Sequence, residues 1–352
     1  MPACDSVTFG RSGLRISPFL FGGGALGQAL SDDTADALLD RYIELGGNVV
    51  DTAVIYGYGA SEAWIGDYMA RRGNRDRLIV GTKYGPNMDG ANVNAGGNGR
   101  KNMMRSIDQS LGRLKTDRVD LYWLHAWDMV TPVEEVVEGM NMLIRAGKAL
   151  HYGLSNVPAW YAARACAVAD MRGLERPIAM QLSYALVERN IEREHVPMAQ
   201  ELGIGICAYS VLADGFLSGK YRRTEEGWEG EGKLDRQRKA NFPYLRHISK
   251  RDWDVLDALL AVADEMGEPP ASVALNWVAT QPGITAPLLG ASRVEQLDGH
   301  VEALKLIIPT ELRAKLDAAS RPPVLYPQNY FEPAFQGLME GGHHTRKWTP
   351  AA

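Results

Sequence analysis

Asn48-Val49-Val50-Asp51-Thr52-Ala53-Val54-Ile55-Tyr56-Gly57 carries an apolar run into a carboxylate and then into a phenol. A buried strand that ends this way delivers two ionisable groups into the loop at its mouth, where chemistry collects. Two other apolar runs end alike: Leu78-Ile79-Val80-Gly81-Thr82 in Lys83, and Leu121-Tyr122-Trp123-Leu124 in His125. Each is followed by a helical pattern, at 61–71, 102–114 and from Thr131-Pro132 to Gly147, the last with proline at the first helical position. The same unit extends in both directions. Pro18 to Phe21 precedes a helix capped at Ser31-Asp32-Asp33, while Leu150 to Leu154, Ile178 to Leu182, Gly205 to Ala208 and Thr285 to Leu289 supply the remaining strands. Strands that are apolar on both faces and alternate with helices are parallel and covered on both sides. Eight of them close most simply into a (β/α)8 TIM barrel, with Asp51, Tyr56, Lys83 and His125 at one rim.

Around this frame, Ser6 to Phe9 and Leu14 to Ser17 flank Gly10-Arg11-Ser12-Gly13 and predict an N-terminal β-hairpin that lids one end. The polar stretch from Leu212 to Ser249 is expected to be a long loop after strand seven, and 321–352 a C-terminal tail. One domain is expected over 1–352, its barrel at about 6–320. A competing reading starts from Gly22-Gly23-Gly24-Ala25-Leu26-Gly27, which matches the G-x-G-x-x-G pattern of a Rossmann dehydrogenase, with Asp51 as its ribose-binding acid. That pattern should open a helix, yet the next helix is capped only at Ser31-Asp32-Asp33, which leaves the glycines in a loop.

Composition narrows the class of partner. The chain has 38 basic and 43 acidic residues, a net charge of −5, so no basic field attracts nucleic acid. Cys4, Cys166 and Cys207 are far apart and show neither metal-ligand spacing nor a disulfide framework; no metal is expected, and a reducing cytoplasmic setting is. The amino terminus lacks a basic region followed by an apolar run, and no apolar stretch is long enough for a membrane span.

The strand-end residues and their neighbours resemble the aldo-keto reductase superfamily over nearly the whole chain. The resemblance rests on Asp51-Thr52-Ala53-x-x-Tyr56-Gly57, Gly81-Thr82-Lys83, Leu124-His125 and Gly153-Leu154-Ser155-Asn156. It continues through Gln181-Leu182-Ser183-Tyr184, Ala208-Tyr209-Ser210-x-Leu212, Gly215-Phe216-Leu217-Ser218-Gly219-Lys220 and Gly290-Ala291-Ser292-Arg293-x-x-Gln296-Leu297. His125-Ala126-Trp127-Asp128 and Val157-Pro158-Ala159-Trp160 are most similar to the branch containing aryl-alcohol dehydrogenases.

The resemblance implies reversible reduction of a small-molecule aldehyde or ketone by NADPH, with Tyr56 as general acid. The physical account agrees. Hydride transfer builds negative charge on the carbonyl oxygen, which needs a proton donor within reach. A phenol, with an ordinary pKa of about 10, is a reluctant one. Lys83 beside it would favour the phenolate, Asp51 would keep Lys83 charged and aimed, and His125 would be a second donor.

For NADP(H), the resemblance assigns Ser155, Asn156 and Gln181 to the carboxamide and Tyr209 to stacking on the nicotinamide. It assigns Ser210, Leu212, Gly215, Ser218 and Lys220 to the pyrophosphate, and Gly290, Ser292, Arg293 and Gln296 to the 2′-phosphate end. Where the family has Asn after Gln-Leu-x-x, this chain has His300, expected to meet the adenine. Gly24, Ile55, Tyr84 and Trp127 are expected to line the substrate pocket. The alternative within the same fold is a cofactor-bound regulatory subunit. Substrate identity and oligomeric state stay open.

Overall fold

The computed structural model describes residues 6–225, 227–239, 247–341 and 343. Strands β1 (Val7–Thr8) and β2 (Arg15–Ile16) pair antiparallel as the expected hairpin. Seven strands then pair in parallel and in chain order: β3 (Leu20–Gly22), β4 (Val49–Asp51), β5 (Ile79–Tyr84), β6 (Val119–Leu124), β7 (Ala149–Ser155), β8 (Ala179–Ser183) and β9 (Gly205–Tyr209). After a small outlying hairpin, β10 (Arg222–Thr224) with β11 (Gly227–Glu229), strand β12 (Ala286–Leu289) pairs with both β9 and β3. The sheet is therefore a closed eight-stranded barrel.

Helices α1 (Asp32–Glu44), α2 (Ala60–Arg72), α3 (Arg100–Leu114), α4 (Val133–Arg145), α5 (Ala159–Arg172) and α6 (His195–Leu202) each follow one strand, as predicted. Between β9 and β12 lie α7 (Lys233–Lys239), α8 (Lys250–Met266) and α9 (Pro270–Ala279); after β12 come α10 (Val294–Ala303), α11 (Thr310–Ser320) and α12 (Pro333–Glu340). Closure explains why the strands are apolar on both faces. In β6, Leu121 and Trp123 turn inward to join Phe9, Leu20, Val49, Ala179 and Ala286, while Tyr122 and Leu124 turn outward to the helical layer. In α4, Val133, Val136, Val137, Met140 and Leu143 form the buried stripe, with Glu134 and Glu135 in the first turn and Arg145 in the last, where the helix dipole favours each sign. Burying each such side chain contributes about 1.5–3 kcal/mol.

The hairpin closes the end opposite the strand mouths. Phe9 enters the barrel edge-on to Trp123, ring centroids 6.1 Å apart, and the Arg11 N–H donates to the Gly203 carbonyl just before β9.

One alternative falls and two expectations change. The closed sheet excludes the doubly wound alternative: the glycine run enters a 3-10 turn at Gly23–Ala25, and α1 starts only after Ser31, whose hydroxyl accepts from the Thr34 N–H. Gly27 instead serves packing, because its φ is 68° and a Cβ there would stand 2.6 Å from the Ala60 carbonyl at the start of α2. Pro132 is the N-cap of α4 and not its first helical residue. The connection after β9 is not a plain loop but contains a 3-10 segment (Ala213–Ser218), β10, β11 and α7. Phe216, Tyr221, Trp228 and Trp253 pack as a chain of ring contacts that anchors it. Residues 226, 240–246, 342 and 344–352 of the predicted loop and tail lie outside the described residues.

Candidate active site

The parallel register sets Asp51 against Gly81, so Lys83 stands one inward-facing position beyond it on β5. Both side chains are buried, at 2% and 0% exposure. The Lys83 ammonium donates to Asp51 Oδ2 and to the Thr52 carbonyl, the latter at 2.7 Å, and Gln181 Nε2 donates to the same carboxylate oxygen at 3.0 Å. Burial by itself would pull the Lys83 pKa down, but the fields of Asp51 and Tyr56 prevail and raise it. The ammonium is therefore kept charged inside the barrel. A buried pair of this kind costs several kcal/mol of desolvation per ion, which its attraction roughly offsets, so it adds little net stability.

Tyr56 stands in the loop after β4, half-buried, with Lys83 Nζ 5.1 Å from its ring centroid. Its ring meets that of His125 edge-on, 6.0 Å between centroids and 90° between planes. His125 is anchored by its backbone, whose N–H donates to the Tyr84 carbonyl and whose carbonyl accepts from Asn156 Nδ2. Burial, with the Lys83 charge added, pushes its pKa down to about 3, so the imidazole is neutral at physiological pH.

A second cluster continues from the first through Gln181. Ser155 Oγ donates to the Gln181 carbonyl (2.9 Å), Asn156 Nδ2 to Ser155 Oγ (3.0 Å), and the Tyr209 hydroxyl to Asn156 Oδ1 (2.8 Å). Ser210, Leu212 and Gly215 are half-buried along the 3-10 segment, where Ser218 Oγ donates to the Gly215 carbonyl (2.6 Å); Lys220 is exposed beyond it. At the start of α10, Ser292 N–H and Oγ both bond Gln296 Oε1, at 3.0 and 3.2 Å, beside exposed Gly290 and Arg293. Among the described residues, Lys220 and Arg293 make no ion pair. His300 is buried, its pKa lowered by burial, and its Nδ1 has no partner among the described residues.

Of the expected pocket residues, Gly24 borders the Tyr56 ring, Ile55 is half-buried beside it in sequence, and Trp127 packs on Trp160 and Tyr161 at centroid distances of 5.2 and 5.6 Å. Tyr84 does not belong with them. Strand alternation that turns Lys83 inward turns Tyr84 outward, where it is fully buried, stacks on Tyr122 at 5.2 Å and donates to the Asn98 carbonyl.

Two supports escaped the sequence reading. Glu62, fully buried at the start of α2, accepts from Thr82 Oγ1 (2.5 Å) and Arg113 Nε (2.6 Å), and so braces the turn that follows Tyr56. Asn98 and Asp128 clasp the loops after β5 and β6: Asn98 N–H donates to Asp128 Oδ2 and Asp128 N–H to Asn98 Oδ1, each at 2.7 Å. Asp128 also accepts from the Val130 N–H and from the N–H and hydroxyl of Thr131. Burial would raise the Asp128 pKa, but these donors prevail and lower it. Asp128 ahead of Thr131-Pro132 was a readable turn signal; nothing local marked Glu62.

The fold and site together are those of a parallel α/β barrel whose mouth gathers a carboxylate-bound ammonium, a phenol and a neutral imidazole. The Aldo/keto reductase family model matches residues 18–321, and the chain belongs to that family of oxidoreductases. It is 32% identical to a norsolorinic acid reductase B of Aspergillus parasiticus, covering 94% of this chain and 88% of the relative. It is 33% identical to an aryl-alcohol dehydrogenase of Pestalotiopsis microspora (93% and 84%) and 32% identical to an aldo-keto reductase of Aspergillus calidoustus (85% and 78%). Among the described residues, no helix is long and apolar enough to cross a membrane.

Proposed function

We propose that this enzyme reduces an aldehyde or ketone with NADPH, and oxidises the matching alcohol in reverse, with Tyr56 as general acid and base. The observation that carries this reading is the Lys83 ammonium, held by Asp51 and Thr52 and standing 5.1 Å from the Tyr56 ring. As negative charge builds on the carbonyl oxygen, Tyr56 donates its proton, and the Lys83 charge stabilises the phenolate left behind. His125, neutral, donates a ring N–H to the same oxygen without adding a second cation. Asp51 keeps Lys83 protonated and aimed throughout.

The residues present suit NADP(H). Ser155, Asn156 and Gln181 offer amide and hydroxyl groups of the kind a carboxamide pairs with, and Tyr209 offers a ring face. Lys220 and Arg293, without ion-pair partners among the described residues, and the start of α10 suit phosphates. Buried His300, with a ring nitrogen that has no partner among the described residues, suits a heterocycle edge. When bound, NADPH supplies the hydride. Trp127 with Trp160, and the relatives named as a norsolorinic acid reductase and an aryl-alcohol dehydrogenase, favour an aromatic substrate. A cytoplasmic setting fits the three dispersed cysteines.

The test is loss of nicotinamide absorbance when purified protein meets NADPH and a panel of aromatic and aliphatic aldehydes. Tyr56→Phe is expected to lower kcat by about 10²–10⁴-fold while cofactor affinity, read by fluorescence titration, is kept. Wild-type turnover in that variant would overturn the assignment, and a parent protein without turnover across the panel would favour a cofactor-bound regulatory subunit.

A further inference from the structure

Inside the barrel, below the Lys83 ammonium, two buried polar atoms are without partners among the described residues: Asp51 Oδ1 and Trp123 Nε1. Both crowd the same face of Gly81. A Cβ on Gly81 would stand 2.9 Å from Asp51 Oδ1 and 3.1 Å from Trp123 Nε1. The two atoms are complementary, since a carboxylate oxygen only accepts and an indole N–H only donates. Left unsatisfied, each costs about 1–3 kcal/mol.

A packing explanation for Gly81, that it merely makes room for a large ring, accounts for less than is seen. Trp123 lies between Lys83 on one neighbouring strand and Gly153 on the other. Its hydrocarbon edge covers Gly153, where a Cβ would stand 2.4 Å from Cζ3, and Phe9 closes the floor below it. The edge turned toward Gly81 is the polar one, with Nε1 nearer than Cδ1, which is at 3.7 Å. The two glycines thus make room for the ring with its Nε1 edge on the Gly81 side, where Asp51 Oδ1 also stands. Asp51 Oδ2 already accepts from Lys83 and Gln181, so Oδ1 is the oxygen left to satisfy.

We propose that Trp123 is a positioning residue of the proton-donor set: its indole N–H reaches Asp51 Oδ1 through one water seated against Gly81, fixing the carboxylate that holds Lys83 beneath Tyr56. Two atoms so close to one point are within reach of a single bridging water, and the site is polar on both sides. The inference rests on the reading of Tyr56 given above. The titratable groups around Asp51 are Lys83 on β5, Cys207 on β9 and Tyr56 above, with His125, just after β6, near Lys83. Without the bridge, Asp51 competes more strongly for the Lys83 proton, and a weaker ammonium supports less phenolate. In the alcohol-oxidising direction, where Tyr56 must accept a proton, the pH limb of kcat then moves to higher pH.

Trp123→Phe removes the N–H and keeps an aromatic ring; Gly81→Ala puts a methyl group 2.9 Å from Asp51 Oδ1 and 3.1 Å from Trp123 Nε1, which forces the two atoms of the bridge to shift. Each is expected to move the kcat limb upward by about half to one pH unit with KM little changed. The double variant is expected to move it by the same amount and not by twice as much, because both changes remove one bridge. An unmoved limb in Trp123→Phe, or shifts that add in the double variant, would overturn the proposal. Should Gly81→Ala not fold, the Trp123→Phe profile decides alone. Tyr56→Phe separates the two readings. If it keeps the limb, the role of Tyr56 fails; a Tyr56-dependent limb that Trp123→Phe leaves in place overturns only the inference about Trp123.

Discussion

His125 shows how one side chain ties the chemistry to stability. Its pKa falls from about 6.5 in the unfolded chain to about 3 in the barrel because burial and the Lys83 charge both oppose an imidazolium. Between those values the unfolded chain binds a proton that the folded one refuses, so stability rises with pH across this window and is lost as pH drops through it. His151 and His300, also lowered by burial, act in the same sense. His125→Gln is expected to flatten the dependence of unfolding free energy on pH between 5 and 7, by about 1–2 kcal/mol at the acid end. Urea titrations at both pH values check this, and an unchanged slope would remove His125 as a main contributor. Asp51, Tyr56, Lys83 and His125 were legible in the sequence because each terminates or follows an apolar run. Trp123 was not, because an indole within such a run reads as core, and only its register between Lys83 and Gly153 reveals what its N–H faces.

The elements with uniform apolar runs could be read, and those with short polar ones could not. β10 has every residue exposed, so it leaves no hydrophobic period; it is held instead by ring contacts from Tyr221 and Trp228 at its edges. The loops after β5 and β6 posed the opposite problem, since their order comes from a clasp between residues 30 apart in sequence. Asp128→Ala removes an acceptor shared by four donors at once. Amide exchange at Gly97 and Asn98 is expected to quicken by about tenfold or more in that variant, with the barrel strands unaffected. Equal protection in both proteins would show that the loop after β5 is ordered by something other than the clasp. The glycine run at 22–27 misleads for a related reason, because a glycine that lets one loop lie on the start of α2 looks, in sequence, like one that cradles a phosphate.

For the whole molecule, the hairpin closes one end of the barrel with few residues. Phe9 is fully buried although it belongs to a two-residue-per-strand ribbon that could not persist alone. It fills the barrel floor under Trp123, so Phe9→Ala should cost about 3–5 kcal/mol, read as a lower urea midpoint. A loss below about 1 kcal/mol would mean that the floor collapses to fill the gap. With Phe9 and the inward side chains of the strands filling the barrel from below, a ligand meets the ionisable groups from the side of the strand mouths, so the same packing that strengthens the fold also sets the direction of approach.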